Sequence, residues 1–319
     1  MNYTFYRFPG ILFWVKHVWL VLCVGACLIV PVRAYAEDIA ILKSDEIVAY
    51  SEAIEAFKRA LPSSFHITLE YNLQGDMAKG RSLARRIRAF NPHVVLAVGL
   101  KAALAAKLEI LDIPVIVCLV LEPEKYAIPT SNMVALSLQI PYDQQLKAFQ
   151  KLAPHISRIG VLFDPQKTQE QRDQLEQRAR TLGLTLVAQE VHSEQEVSNA
   201  LKSLRNKVEA LYLLPDSTVL TENTLDFLIS STLEAHIPLI GFSADLVHSG
   251  ATTGVYLNYA DLGQHAASLV PRLLASTASS VLGTMIPPDV IHHAINVKSA
   301  QYLGLRLTPD NLRSFDEHY

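Results

Sequence analysis

Few segments of this 319-residue chain carry residues in an order suited to catalysis. The clearest is Gly241-Phe242-Ser243-Ala244-Asp245, which follows a short apolar segment and places a serine where a strand would lead into a helix. A nucleophile elbow needs a second glycine two residues after the serine, because only its small size permits the tight turn. Asp245 stands at that position. We therefore interpret Ser243 as a ligand-contacting or helix-capping residue.

Other catalytic signatures are missing from the sequence. No glycine-rich loop ends in Gly-Lys-Ser/Thr, and no Gly-x-Gly-x-x-Gly follows a predicted strand, so neither a phosphate loop nor a dinucleotide site is expected. His292 and His293 are adjacent, and neighbouring side chains on a strand point to opposite faces, so the two cannot chelate one metal ion together. We predict no metal, no cofactor and no enzymatic activity.

The elements that would position any site alternate between strands and helices. Two units share one pattern of a buried strand, a polar turn, a helix and a Pro-led apolar strand; they run from His93 to Val117 and from Val208 to Gly241. This pattern is typical of parallel sheets covered by helices. Before the first unit, the sequence predicts strands at 39–42 and 65–69 with a helix from about 48 to 61 between them. Two such units indicate two similar lobes with a cleft between them.

Residues 1–36 have the features of a secretory signal peptide. Basic residues precede an apolar run from Val18 to Val30, and Ala34-Tyr35-Ala36 is a small-x-small cleavage site. The run is shorter than the ~20 residues that span a bilayer as a helix. Two alternatives stay open: a retained anchor that includes the aromatic stretch from Phe5, and a lipid attached at Cys27.

The composition of the remaining chain restricts its partners and compartment. Residues 1–36 hold three basic and no acidic residues, so their removal takes the formal net charge from −3 to −6, the wrong sign for a nucleic-acid partner. Only Cys118 remains outside the predicted signal peptide, and its apolar neighbours predict a buried small hydrophobe. An exported chain without disulfides fits the bacterial periplasm.

Several segments resemble one known family. They include Val98-Gly99 before an Ala-rich helix, Pro215-Asp216-Ser217, and Tyr259-Ala260-Asp261-Leu262-Gly263. Their order and spacing are similar to those of the ABC-transporter substrate-binding proteins of the type I periplasmic binding protein fold, the group with tryptophan and tyrosine binders. The resemblance covers nearly all of residues 38–309.

The resemblance implies an α/β fold of two doubly wound parallel-sheet lobes joined by three crossover hinge strands. Lobe I would comprise residues 37–137 and lobe II residues 138–250. Residues 251–319 would form a return crossing, beginning with the strand Thr253–Tyr256, and a C-terminal segment shared between the lobes. In open α/β sheets, ligands bind at loops after the carboxyl ends of the strands.

Carried over residue by residue, the resemblance implies ligand contacts from these loops. The candidates are Gly99, Leu100, Lys101, Glu122, Ser137, Asp216, Ser217, Phe242, Ser243, Asn258 and Tyr259.

Several of these positions depart from the family pattern. Lys101 stands where the family has a small hydroxyl residue, Glu122 and Asn258 each replace an aspartate, and Asn132-Met133-Val134-Ala135 replaces Asn-x-Thr-Gly. A lysine at a helix start suggests an anionic group on the ligand, with free backbone N–H groups assisting. The same changes are also consistent with loss of the ancestral ligand.

Simpler roles remain open for individual candidates. For Asp216, a helix cap or a turn residue after Pro215 is as well supported as a ligand contact. For Lys101, the simpler role is that of a solvated lysine in a first helical turn. One of Tyr256 and Tyr259 is expected to pack in the hinge. Ser137 is the strongest candidate, because a short polar residue where two lobes meet serves binding better than core packing.

The sequence as a whole predicts an extracytoplasmic solute-binding protein, a monomer that closes over a small organic ligand and delivers it to an ABC permease. An amino-acid-like or aromatic ligand is implied by the resemblance alone. The alternative is a periplasmic ligand-sensing partner of a membrane receptor or kinase with the same fold. These two functions differ on the outer faces of the lobes, where the sequence does not separate them.

Overall fold

A computed structural model describes Met1, residues 37–275 and residues 280–319. The predicted signal peptide, apart from Met1, lies outside the described residues. In the described chain, strands and helices alternate and form two separate sheets. Apart from one antiparallel pair, neighbouring strands in both sheets are parallel. The predicted α/β fold of two doubly wound lobes is confirmed.

Lobe I contains a six-stranded sheet with the order β11-β5-β4-β3-β1-β2. Its elements are β1 (Glu37–Lys43), α1 (Val48–Ala60), β2 (Phe65–Asn72), α2 (Met77–Phe90), β3 (Val94–Val98), α3 (Leu100–Glu109), β4 (Val115–Cys118), a 3-10 turn (Pro123–Tyr126) and β5 (Met133–Leu136). The last strand of the sheet, β11 (Met285–Ile286), comes from much later in the chain and pairs with β5.

Lobe II contains a seven-stranded sheet with the order β13-β12-β10-β9-β8-β6-β7. Its first elements are α4 (Tyr142–Leu152), β6 (Arg158–Phe163), α5 (Pro165–Thr181), β7 (Thr185–Glu190), a 3-10 turn (Glu194–Glu196), α6 (Val197–Leu204), β8 (Ala210–Tyr212), α7 (Glu222–Glu234), β9 (Leu239–Gly241) and α8 (Ala244–Ser249). They are followed by β10 (Thr253–Tyr256), β12 (His292–Ile295), α10 (Val297–Tyr302), α11 (Pro309–Leu312) and β13 (Glu317–His318).

Each sheet is buried on both faces, which explains its continuous apolar strands. In β1, Ile39 and Ile41 face one hydrophobic cluster, while Ala40 and Leu42 face the other. Alternate side chains of a strand point to opposite faces, so a strand between two helical layers must be apolar throughout. The same arrangement gives lobe II two clusters of its own.

The chain passes between the lobes three times. The first passage joins β5 to α4, and the last joins β11 to β12. The strand Thr253–Tyr256, expected to return toward lobe I, instead lies in the lobe II sheet between β9 and β12. The return is made after it by α9 (Tyr259–Leu274), because the buried side chains of this helix, including Leu262 and Leu269, belong to a lobe I cluster.

The contact between α9 and α1 is unusually close at one residue. Gly263 of α9 lies where a Cβ atom would stand 2.0 Å from the carbonyl oxygen of Ala53. A Cβ atom at position 263 would be bonded directly to the backbone of α9, and the Ala53 oxygen belongs to the backbone of α1. Neither atom can move without moving its helix. Glycine is therefore required for α9 to cover the lobe I sheet.

We predict that Gly263→Ala destabilises the protein by at least about 1–3 kcal/mol, the usual cost of overpacking a core. The measurement is the denaturant midpoint of unfolding. Gln264→Ala, at an exposed position of the same helix, is the matched control and should leave the midpoint nearly unchanged. Equal midpoints for Gly263→Ala and the wild-type protein would contradict this account of the helix contact.

Two residues further along α9, His265 is buried beside the last passage between the lobes. Its Nδ1 lies 3.0 Å from Oδ1 of Asp289, which belongs to the segment between β11 and β12. Burial lowers the pKa of His265 below its usual value, and the attraction of Asp289 only partly opposes this shift. Burial also lowers the pKa of His293 on β12.

These two histidines predict lower stability in mild acid. A histidine whose pKa is lowered by folding binds its proton more weakly in the folded than in the unfolded state, so acidification favours unfolding. Stability should be constant above pH about 7 and fall as the pH drops through about 6.5, the unfolded pKa of histidine. Thermal unfolding from pH 7.5 to about 5 measures this, and His265→Gln should flatten the profile. An unchanged profile in that variant would refute the assignment.

Candidate ligand-binding cleft

A cavity of about 410 Å³ lies between the lobes, at the carboxyl ends of strands from both sheets. Lobe I contributes Leu121, Glu122 and Pro123 after β4, and Ser137 after β5. Lobe II contributes the first turns of α5 after β6, and Pro215 with Ser217 after β8. A larger depression of about 530 Å³ is lined by lobe I residues alone, from the loop after β1 and along α1. The cavity between the lobes is the candidate site.

Two polar side-chain contacts connect the sides of this cavity. Gln171 of α5 donates from Nε2 to Oε1 of Glu122 in lobe I over 3.3 Å. Gln139, in the first passage between the lobes, donates from Nε2 to Oε1 of Gln174 on α5 over 2.9 Å. Helix α5 is thus the lobe II element that reaches across the cleft.

Glu122 lies on a tight turn that holds its side chain at the cleft. Its φ of 44° is left-handed, and it immediately precedes the 3-10 turn at Pro123–Tyr126. Its Oε2 also pairs with Lys125 Nζ at 2.6 Å, while Oε1 receives the hydrogen bond from Gln171. Glu122 is exposed, so this carboxylate is free to exchange these partners for a ligand.

Ser137 and Ser217 reach the cavity from opposite lobes. Ser137 follows β5, where its backbone N–H donates to the carbonyl oxygen of Ile286 on β11. Its hydroxyl accepts a hydrogen bond from the N–H of Gln139 over 3.1 Å and still faces the cavity. Ser217 is exposed in the loop after β8 and lines the lobe II side.

Asp216 lies beside Ser217 but faces the interior of lobe II. Its side chain is buried, and Oδ2 accepts from the Asp164 N–H at 2.7 Å and from the Thr168 hydroxyl at 2.5 Å. Oδ1 accepts from the N–H groups of Thr218 and Val219. The structure places Asp216 as a turn-organising residue, the alternative role considered from the sequence. It is absent from the residues that line the cavity.

The Gly99–Lys101 segment lies at the start of α3 and does not line this cavity. Gly99 has φ 84°, and a Cβ there would stand 2.4 Å from the Tyr50 hydroxyl oxygen. Leu100 is half-buried against the lobe I core. Lys101 donates from Nζ to the carbonyl oxygen of Gly75 over 2.6 Å. This contact directs the Lys101 ammonium group toward the loop at Gly75.

Four further candidates belong to helix starts in the second half of the chain. Ser243 caps α8 by accepting from the N–H of Leu246, and Asn258 caps α9 by accepting from the N–H of Ala260. Phe242 packs against a lobe II cluster, and Tyr259 is 44% exposed. None of the four lines the cavity. The capping role considered for Ser243 is the one that the structure shows.

The sequence reasoning missed the contribution of α5. The cavity-lining residues of this helix are Lys167, Thr168, Glu170, Gln171 and Gln174, and Gln139 and Tyr142 line the cavity near the first passage. The usable signal was the turn Asp164-Pro165 directly after β6, because a helix that starts there must begin at the strand edge that faces the cleft. Which of its polar residues turn toward lobe I depends on the path of the helix.

Burial raises the pKa of one cavity-lining group and of the lobe I cysteine. Burial raises the pKa of Tyr142 to about 12, so its phenol stays protonated near neutral pH. Burial also raises the pKa of the Cys118 thiol to about 12, which keeps it from acting as a nucleophile. Within the described residues, no cluster of three or more His, Cys, Asp or Glu side chains is arranged to hold a metal ion.

The described residues also contain no helix long and apolar enough to cross a membrane.

Comparison with known proteins agrees with this architecture. A tyrosine-binding protein of Clostridioides difficile (strain R20291) is 25% identical over 253 residues, which cover 76% of this chain and 72% of that protein. The ligand-free, open structure of a substrate-binding protein with adhesive properties from Clostridium difficile has a TM-score of 0.75 at 22% identity and covers 88% of this chain and 98% of its own.

A structure of an ABC domain in complex with L-Trp from Streptococcus pneumonia has a TM-score of 0.56 at 20% identity, covering 89% of this chain and 99% of its own. At these identities the two solved structures support the fold. Residues 40–318 match the family model described as ABC transporter substrate binding protein, which confirms the resemblance identified from the sequence. The chain belongs to the family of ABC transporter substrate-binding proteins.

Proposed function

We propose that this protein captures an amino-acid-like ligand in the cleft between its lobes and presents it to an ABC permease. The observation that carries the proposal is the cavity at the carboxyl ends of strands from both sheets, with Glu122 and Gln171 facing each other across it. Polar groups from two lobes that converge on one cavity are typical of a small-molecule site. The tyrosine-binding relative supports the ligand class.

Ligand capture would proceed by closure of the lobes about the three passages. Contacts from both lobes to one ligand exist only when the lobes are close, so the ligand favours the closed state by its differential affinity for that state. Glu122 and Ser137 on one side and Ser217 on the other supply donors and acceptors for the ammonium and carboxylate groups of an amino acid. The permease would then distinguish the closed from the open form by the relative position of the lobes.

The chemistry of the cleft revises the expectation of an anionic ligand. That expectation depended on Lys101, whose ammonium donates to Gly75 outside the cavity lining. Lys167 is a basic residue of the lining, and it is accompanied by the carboxylates of Glu122, Glu124 and Glu170. A zwitterionic or amine-bearing ligand therefore fits the lining better than a simple anion.

Ligand binding is tested by thermal unfolding with L-tyrosine and L-tryptophan, with sugars and organic anions as comparison sets. A ligand at 100 times its Kd should stabilise the folded protein by about 2.7 kcal/mol. Ser137→Ala and Ser217→Ala should each weaken the affinity about 2- to 10-fold, the usual contribution of one hydrogen bond. Ser230→Ala, on an exposed face of α7, is the matched control. A response to sugars or anions alone would refute the proposed ligand class.

Substrate-binding proteins of ABC transporters act outside the cytoplasm, and we propose the periplasm as the location of this one. Residues 1–36 would direct export and be removed before Glu37. The intact mass of protein recovered from the cell envelope should therefore correspond to residues 37–319, and Ala36→Asp should block this processing at the small-x-small site. A full-length mass, or a lipid-modified Cys27, would instead establish one of the anchored alternatives.

A further inference from the structure

Helix α5 does not leave β6 as a regular helix. Its backbone is non-helical at Thr168, with φ −131° and ψ 25°, which separates a first turn from the remainder of the helix. A break inside a helix needs a local cause, such as a side chain that draws one residue out of the regular path. Proline is present only at the first helical position, Pro165, where it is compatible with a regular helix.

Asp216 contacts the helix at this break. The Thr168 hydroxyl donates to Oδ2 of Asp216 over 2.5 Å, and the same oxygen accepts the N–H of Asp164 at the end of β6. Thr168 and Asp216 are both buried, at 3% and 1% exposure. The Asp216 carboxylate therefore joins three elements: the end of β6, the broken turn of α5 and the loop after β8.

The carboxylate of Asp216 has no remaining capacity for a ligand. A carboxylate has about four lone-pair positions, and Asp216 accepts from two N–H groups of its own loop as well as from Asp164 and Thr168. Asp164 strengthens the junction in return, since its Oδ2 accepts the Thr218 hydroxyl at 2.7 Å. A direct ligand contact would require breaking one of these buried hydrogen bonds.

The residues just after the break are the ones that reach lobe I. Gln171 lies three residues beyond Thr168 and contacts Glu122; Gln174 lies three residues further and contacts Gln139. Residues three apart on a helix share a face. The direction of α5 after Thr168 therefore determines whether this face points across the cleft.

We propose that Asp216 is a positioning residue of the cleft: through Thr168 it fixes the break in α5, and thereby the placement of Gln171 and Gln174, without contacting the ligand. The inference rests on the proposed binding function, since it names a residue that determines the affinity for the bound ligand. Sites of this kind lose function when a supporting hydrogen bond is removed, because a displacement of about 1 Å is enough to misplace the contacts.

The test compares four variants by titration with L-tyrosine and L-tryptophan. Thr168→Val removes the hydroxyl at nearly constant volume. Asp216→Asn replaces one carboxylate oxygen by an amide N–H₂ group, so the donors bonded to that oxygen lose their acceptor. Both should weaken binding by about tenfold or more. Thr168→Ser keeps the hydroxyl and should stay within about threefold of the wild-type affinity. Thr232→Val removes another buried hydroxyl of lobe II, bonded within α7, and should leave affinity unchanged.

Thr168 itself lines the cavity. Coupling to Gln171 therefore separates positioning both from a general loss of stability and from a direct contact between Thr168 and the ligand. In the wild-type background Gln171→Ala should weaken binding, whereas in the Thr168→Val background it should add little, because the side chain is already misplaced. Full additivity of the two substitutions would overturn the proposal. A severe loss in Asp216→Asn with wild-type affinity in Thr168→Val would also overturn it, by indicating that Asp216 contacts the ligand directly.

Hydrogen exchange of the ligand-free protein tests the positioning role independently of the ligand. Amides from residues 166–175 should exchange faster in Asp216→Asn and Thr168→Val than in the wild-type protein and Thr232→Val. If the wild-type protein binds neither amino acid, the proposed ligand class fails while this measurement still decides the inference. Unchanged exchange in all variants would overturn the role of Asp216.

Discussion

The lobe I sheet has two apolar faces, and covering the face that carries Ile39 and Ile41 constrains the path of the whole chain. That face is covered by α1, which follows β1 directly, and by α9, which comes after a lobe II strand. The two helices can pack this closely because Gly263 has no side chain to meet the Ala53 carbonyl. Because α9 belongs to lobe I and β12 to lobe II, the chain must pass between the lobes repeatedly.

In lobe II, buried carboxylates perform the corresponding organising role. Asp164 and Asp216 end or follow neighbouring strands and receive hydrogen bonds from backbone N–H groups and threonine hydroxyls. Buried charged groups are tolerated when their acceptor positions are filled in this way. Hydrogen bonding from Thr218 and from the Gln166 N–H holds the pKa of Asp164 below its usual value. The loops at this edge are therefore fixed relative to the sheet, which leaves Ser217 and the face of α5 directed at the cleft.

The residues whose types suggested chemistry proved to have structural partners. Ser243 and Asn258 cap helices, Lys101 bonds a backbone carbonyl, and Cys118 is a buried part of the lobe I core. The polar groups that line the cavity are instead amides, hydroxyls, carboxylates and the Lys167 ammonium on loops and on α5, beside apolar residues such as Leu121 and Leu138. Such a lining can orient a polar ligand by several moderate hydrogen bonds.

The sequence by itself determined the alternation of strands and helices and the presence of two lobes. Strands such as residues 39–42 could be predicted because side chains buried on both faces must be apolar in continuous runs. Loop positions such as Glu122, Ser137 and Ser217 were implied by the family resemblance, which places ligand contacts in loops at the carboxyl ends of the strands. Only the tertiary structure decided that Asp216 points inward, that α9 covers lobe I, and that Gln171 of α5 contacts Glu122. The placement of Asp216 depends on hydrogen bonds between residues about 50 positions apart, and that of α9 depends on apolar contacts with distant strands. Local periodicity and propensity encode neither.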